Sequence, residues 1–204
     1  ELYERPDNSL DSIERLEKWE GNLLNWYDTT NLKPLEPKYV STVDSGNLLC
    51  CMVALRQGLL EYTGENPALE EINKRLTKLI DSCNLLPLYN NRRKLFHIGI
   101  DLSTGELSPS YYDLLMSEAR MTGYFAIASR IIPKKHWGTL GRMMAKSGRH
   151  TGPVSWTGTM FEYFMPNIFL PSPKGTLTYE ALRFCLQCQR KRVKGIRING
   201  QILP

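Results

Sequence analysis

The chain has 204 residues, 42% of them hydrophobic, enough to bury a core and too apolar for a disordered segment. Its charge of +5 is lopsided: Arg183, Arg190, Lys191, Arg192, Lys194 and Arg197 follow Leu182 with no acidic residue among them, so the remainder is close to neutral. That pattern argues against a nucleic-acid partner, and no apolar run reaches the ~18–20 residues of a membrane-spanning helix.

Residues Asp11–Tyr27 are predicted to form the first helix, with Ile13, Leu16, Leu23 and Leu24 inward. Pro34 and Pro37 make Thr29–Tyr39 an extended connection. Asp44-Ser45-Gly46-Asn47 offers N-caps for a helix whose run Leu48–Leu55 is apolar on all sides, which predicts burial on all sides. The next helix is one-sided, capped by Asn66, with Pro67 in its first turn and Leu69, Ile72, Leu76 and Leu79 as its stripe. An enclosed helix followed by an outer, amphipathic one suggests concentric layers of helical hairpins. Ser110–Arg130 and Thr159–Leu170 are further inner candidates, and Thr178–Lys194 an outer one. Between them, Lys94–Asp101 alternates like a short strand, with Gly105 at its turn.

Within Tyr111–Arg130, positions 111, 114, 118, 121, 125 and 128 share a helical face and read Tyr, Leu, Glu, Met, Phe, Ala. Glu118 is the acid on that stripe, with no Lys or Arg one turn away. Such an acid either finds a distant partner, Arg56 or Arg142, or performs chemistry, because burial without a partner raises a carboxyl pKa. Asp113 lies three residues after Ser110 and reads as a cap; Thr159-x-x-Glu162 is a capping box, so Glu162 either satisfies backbone donors or points into a cleft. Asp44 is a cap or a sugar-hydroxyl acceptor. The aromatics Trp26, Tyr27, Tyr111, Tyr112, Trp137, Trp156, Tyr163 and Phe164 crowd the same segments; each taken singly reads as core, and together they suit sugar faces. The five cysteines are odd in number, and Cys185-x-x-Cys188 has no second pair to complete a zinc site, so it reads as packing. His97, His136 and His150 show no metal spacing, no phosphate-binding loop occurs, and no cofactor is expected.

Several blocks resemble, in order, the glycoamylase-like central domain of cyclic β-1,2-glucan synthases. They are Asn25-Trp26-Tyr27-Asp28-Thr29, the stretch Tyr39–Asn47, Leu55-Arg56-Gln57-Gly58, the stretch Ser110–Arg120, His136-Trp137-Gly138 and the stretch Ser155–Tyr163. They cover roughly residues 10–195. The resemblance implies an all-α fold, a partial (α/α)6 helical-hairpin barrel with a small β-hairpin insertion. It also implies retaining transglycosylation or hydrolysis of β-1,2-glucan, the ring-closing step of cyclic glucan synthesis. Ser117-Glu118-Ala119-Arg120 matches the segment carrying an essential glutamate, which makes Glu118 the catalytic candidate. Trp26, Tyr27, Asp44, Tyr112, Asp113, Trp156 and Glu162 are then the candidate substrate-binding residues.

One departure accompanies the resemblance. Where the family continues into a Trp-Gly-Ile-Ser-Glu-Ser-like segment with the second carboxylate, residues 196–204 read as an atypical tail. The expectation is a single truncated domain over residues 1–204, acting on β-1,2-linked glucan or another oligosaccharide as part of a larger multidomain synthase. Its expected location is cytoplasmic, with any anchor in the bacterial inner membrane belonging to the parent protein. The alternative is a non-catalytic sugar-binding or scaffold remnant lacking the second carboxylate.

Overall fold

The computed structural model describes residues 4–62, 64, 66–193, 197–198 and 201–202. The chain divides into two compact units, one of residues 1–112 with 121–138 and one of residues 113–120 with 139–204.

The first unit opens with helix α1 (Glu4–Arg15), then strands β1 (Lys18–Trp19) and β2 (Asn22–Leu23) in a hairpin. The helix predicted over Asp11–Tyr27 therefore ends early. Glu20 and Gly21 both adopt positive φ, and a Cβ on Gly21 would lie 2.0 Å from the Ser82 carbonyl oxygen, so the chain must turn there on glycine. Strand β3 (Tyr39–Ser41) leads into α2 (Thr42–Leu60), whose N-cap is Ser41, accepting from the Asp44 amide. Helix α2 buries Leu49, Met52 and Leu59 but leaves Cys51, Ala54 and Leu55 exposed, so it is not enclosed on all sides as its composition predicts.

Helix α3 (Pro67–Ser82) matches its reading, with Asn66 capping the Ala68 amide and Leu69, Ile72, Leu76 and Leu79 buried. At roughly 1.5–3 kcal/mol per buried aliphatic side chain, that stripe is a main source of the unit's stability. Strands β4 (Tyr89–Asn90), β5 (Leu95–His97), β6 (Gly99–Asp101), β7 (Glu106–Leu107) and β8 (Tyr111–Tyr112) form two three-stranded sheets, β4-β5-β8 and β3-β6-β7. Helices α4 (Arg120–Ala128) and α5 (Lys135–Thr139) follow. Gly123 allows α4 to approach His136, since a Cβ there would lie 2.5 Å from the ring Nε2.

The second unit contains the hairpin β9 (Met144–Ser147) and β10 (His150–Pro153), a short α6 (Met160–Phe164) and the long α7 (Leu177–Val193). Strand β10 packs on α7, where a Cβ on Gly152 would meet Phe184. Helix α6 passes into a 3-10 turn at Met165–Ile168 because Pro166 has no amide hydrogen to continue it. Two two-residue strands, β11 (Arg197–Ile198) and β12 (Gln201–Ile202), lie near the C-terminus. The side chains of the atypical tail, and Lys194 of the basic end, lie outside the described residues.

The all-α expectation is overturned. The chain is 48% helix and 16% strand, a mixed α/β fold. The physical reason is tertiary pairing: Tyr111 and Tyr112, predicted to open a helix, pair with His97 and Phe96 of β5, so helix α4 starts only at Arg120.

Candidate functional site

Four of the candidate residues, Trp26, Tyr27, Asp44 and Tyr112, fall in the first unit. Asn25 donates its amide to the Tyr39 carbonyl (2.8 Å), and its side-chain oxygen accepts from the Ser41 amide (3.0 Å), tying the Trp26–Tyr27 segment to β3. Thr42 donates its hydroxyl to the His97 carbonyl (2.7 Å), tying the same helix end to β5 and hence to Tyr112 on β8.

These four residues do different things. Trp26 is 48% exposed and presents its ring to solvent. Tyr27 is half-buried against the apolar core, accepts from the Leu24 amide (2.7 Å) and donates to the Glu17 carbonyl (2.6 Å), so it serves as a strut; burial pushes its phenol pKa up. Asp44 has an exposed side chain in the first turn of α2. Tyr112 is half-buried. Neighbouring Asp28 shapes a turn, accepting from the Thr30 hydroxyl (2.6 Å) and amide (2.8 Å), which hold its carboxyl below the usual range.

Asp113, Glu118, Trp156 and Glu162 fall in the second unit. Glu118 sits in the turn before α4, half-buried, and accepts a long hydrogen bond from the Ser117 hydroxyl (3.5 Å). The helical-stripe argument for this residue therefore fails. Its charge nonetheless acts on Arg120, two residues on, whose pKa it raises. In a helix, residues two apart project about 200° apart; in this turn they can act on one another.

Arg120 is the hub of the unit. Only 2% exposed, it donates to the Tyr163 carbonyl (2.9 Å), the Asn167 side-chain oxygen (3.0 Å) and the Glu162 carbonyl (3.4 Å). Desolvation by this burial lowers its pKa to about 10, against the raising influence of Glu118.

Glu162 is buried, and one of its carboxylate oxygens, Oε2, is held by five donors of the protein. Its carboxylate accepts from the hydroxyls of Ser155 (2.9 Å), Thr157 (2.6 Å) and Thr159 (3.1 Å) and from the amides of Thr157 (3.1 Å) and Thr159 (3.1 Å). Burial pushes its pKa up, but the Thr157 and Ser155 hydrogen bonds outweigh it and hold the carboxyl below its ordinary range. The capping box is present as read; five donors converge on Oε2, while Oε1 accepts the Thr157 amide (3.2 Å). Trp156, between two residues that bind Glu162, is 55% exposed. Asp113 is also exposed and is no helix cap; its carbonyl accepts from the Gly141 amide (2.6 Å).

Sequence reasoning missed Arg120 as a hub, and Ser155 and Thr157 as ligands of Glu162. The alternating hydroxyls of Ser155, Thr157 and Thr159 ahead of an acid were the available signal. Cys185 is buried as expected, with its thiol pushed up to about 11 by burial. Among the described residues no group of three His, Cys, Asp or Glu could hold a metal, and no helix is long and apolar enough to cross a membrane.

The relationship to cyclic β-1,2-glucan synthases that the motif blocks suggest is supported by a sequence match along most of the chain. Cyclic β-(1,2)-glucan synthase NdvB of Rhizobium meliloti (strain 1021) is 24% identical over 311 residues, which takes in 93% of this chain and 11% of the relative. The matched stretch is longer than the chain itself, so the relative carries internal segments without a counterpart here. In fold, the chain is similar to an endo-β-1,2-glucanase from Chitinophaga pinensis solved with sophorotriose and glucose, at a TM-score of 0.74 and 15% identity. That match covers 94% of this chain and 50% of the glucanase. The chain thus spans about a tenth of the synthase and half of the solved enzyme. No protein-family model matches it.

Proposed function

We propose that this chain is a β-1,2-glucan-processing domain, with Glu118 as one carboxyl of a retaining transglycosylation or hydrolysis. The observation that carries this reading is the sequence relationship to a cyclic β-glucan synthase along 93% of the chain. Support comes from the position of Glu118, half-buried in the turn that the Arg120 amide closes on the Ser117 carbonyl (3.2 Å). In the same unit, the exposed Trp156 would offer its ring face to a glucose unit. Retention requires two carboxyl groups about 5–5.5 Å apart, one attacking the anomeric carbon while the other protonates the departing oxygen.

The test is incubation with linear β-1,2-glucan, following chain length and reducing ends. Shortening or ring closure that falls at least about 1,000-fold in Glu118→Gln supports the proposal. Full activity in that variant would refute it.

A second reading, binding without turnover, is favoured by one feature: five donors on Oε2 hold the Glu162 carboxyl below its ordinary range, which disfavours it as a proton donor. On this reading calorimetry detects β-1,2-glucooligosaccharide binding while no product forms. Absence of both binding and turnover leaves a scaffold role within a larger synthase.

A further inference from the structure

The loop of residues 155–159, between β10 and α6, is fixed at both ends and at its centre. At its start, the Val154 amide donates to the Met143 carbonyl (2.9 Å) and the Tyr163 hydroxyl to the Pro153 carbonyl (2.7 Å). At its centre, the hydroxyls of Ser155 and Thr157 donate to the same oxygen, Oε2 of Glu162, at 2.9 and 2.6 Å. The Ser155 hydroxyl also accepts from the Gly158 amide (2.9 Å). At its far end Thr159 caps α6, and Gln189 on α7 donates its side-chain amide to the Gly158 carbonyl (2.7 Å). Gly158 has a φ of +72°, so the chain reverses there on glycine.

Trp156 is the large side chain of this loop, and the framework leaves it 55% exposed. Its two neighbours in the chain are both tied to the Glu162 carboxylate, so its backbone is held on either side while its ring meets water. A tryptophan that serves packing is covered. One left in solvent on a fixed loop is preset for a ligand, because the ordering is complete before contact and little conformational entropy is then lost. The surrounding sequence bears on the kind of ligand. Residues 154–173 contain no Lys, Arg or His, and their acid, Glu162, is buried. A phosphate or carboxylate would find no cation in this stretch, whereas a flat indole suits the apolar C–H face of an uncharged pyranose ring.

We propose that Glu162 is a positioning residue, acting through the Ser155 and Thr157 hydroxyls to preset Trp156 as a stacking platform for a glucose ring of the glucan. The inference rests on the glucan reading above. It gives Glu162 no contact with sugar: the carboxylate works through the loop that it holds. Stacking on the platform is the same before and during reaction, so disturbing the loop weakens binding and leaves the chemical step alone.

The test is calorimetric titration of the whole chain with linear β-1,2-glucooligosaccharides, with reducing-end release followed in parallel. Trp156→Ala should weaken binding about 10-fold. Thr157→Val removes the shortest hydrogen bond to Glu162 and should weaken binding about 5-fold, raising KM in any turnover without changing kcat. Thr157→Ser keeps the hydroxyl and should restore both. Unaltered affinity in Trp156→Ala, with the parent chain binding, overturns this inference and leaves the glucan reading standing. An equal fall in Thr157→Val and Thr157→Ser, or no fall in Thr157→Val whatever its melting temperature, overturns the positioning role. No binding by the parent chain refutes the glucan reading and this inference together.

Discussion

Among the described residues, the buried carboxylate and guanidinium, Glu162 and Arg120, lie in the second unit, whereas the first buries Leu49, Ile72, Leu76, Leu85 and Leu88 together with polar Thr42 and Thr122. The first unit is held by apolar burial, which is non-directional and tolerant of small shifts. The second, with fewer buried aliphatics, is organised by a guanidinium and a carboxylate whose hydrogen bonds require particular geometry. Its apolar side chains are correspondingly prominent on the surface: Met143, Phe161 and Ile168 are each more than half exposed. Apolar contacts thus make a core, whereas the polar network fixes the Glu118 turn and the Trp156 loop.

The largest break in this comparison is expected from Arg120→Met. It leaves the carbonyls of Glu162 and Tyr163 without their donor, at a cost of about 4 kcal/mol, typical when one member of a buried charged network is removed. Amide exchange should rise across α6 and α7 while α3 stays protected; equal loss in both regions would erase the distinction. Leu76→Ala is the reciprocal test, costing about 3 kcal/mol through a cavity in the α3 stripe and opening the first unit alone. Glu162→Gln, read by denaturant melts, should cost about 2 kcal/mol, because a neutral amide satisfies fewer of the five donors. Smallest is Arg75→Gln on α3. Arg75 bridges Asp7, Asp11 and Glu14 of α1, but those carboxylates are 38–58% exposed, so the loss should stay below about 1 kcal/mol and shrink in salt.

The two units also differ in how acid should undo them. Burial depresses the pKa of His136, in the first unit, against the opposing hydrogen bond to the Lys94 carbonyl. Its neutral form is the native one, so its contribution is present above about pH 6.5 and is lost as pH falls through the lowered folded value. Glu162 is depressed for the opposite chemical reason, as an acceptor of hydrogen bonds. Its contribution persists above about pH 4.5 and disappears only as pH falls through its own lowered value. Amide exchange followed from pH 7 to 4 should therefore weaken the first unit before the second. His136→Gln should remove the earlier step.

Helix α3 was legible because every signal for it is local: Asn66 for the first free amides, Pro67 for a position that needs no donor, and four aliphatics at helical spacing. The strands around Gly105 and the capping box at Thr159 were legible for the same reason. The stretch from Tyr111 to Glu118 was not. Its helical periodicity is present in the sequence, yet pairing of Tyr111 and Tyr112 with β5 satisfies the same backbone groups, and only the folded chain brings β5 there. Helix α2 shows the converse limit, since its all-round apolar composition cannot say which side will be covered.

By itself, the sequence determined which residues cap, turn and alternate, and through its ordered blocks it disclosed the relationship to β-1,2-glucan enzymes. Tertiary structure decided that the fold is mixed α/β, that Glu118 lies in a turn instead of on a helical stripe, and that the Glu162 Oε2 is held by hydroxyls and amides of its neighbours. The reason is range: capping and turn preferences act within about four residues, whereas strand pairing and the solvation of a buried charge depend on groups that meet only when distant segments pack.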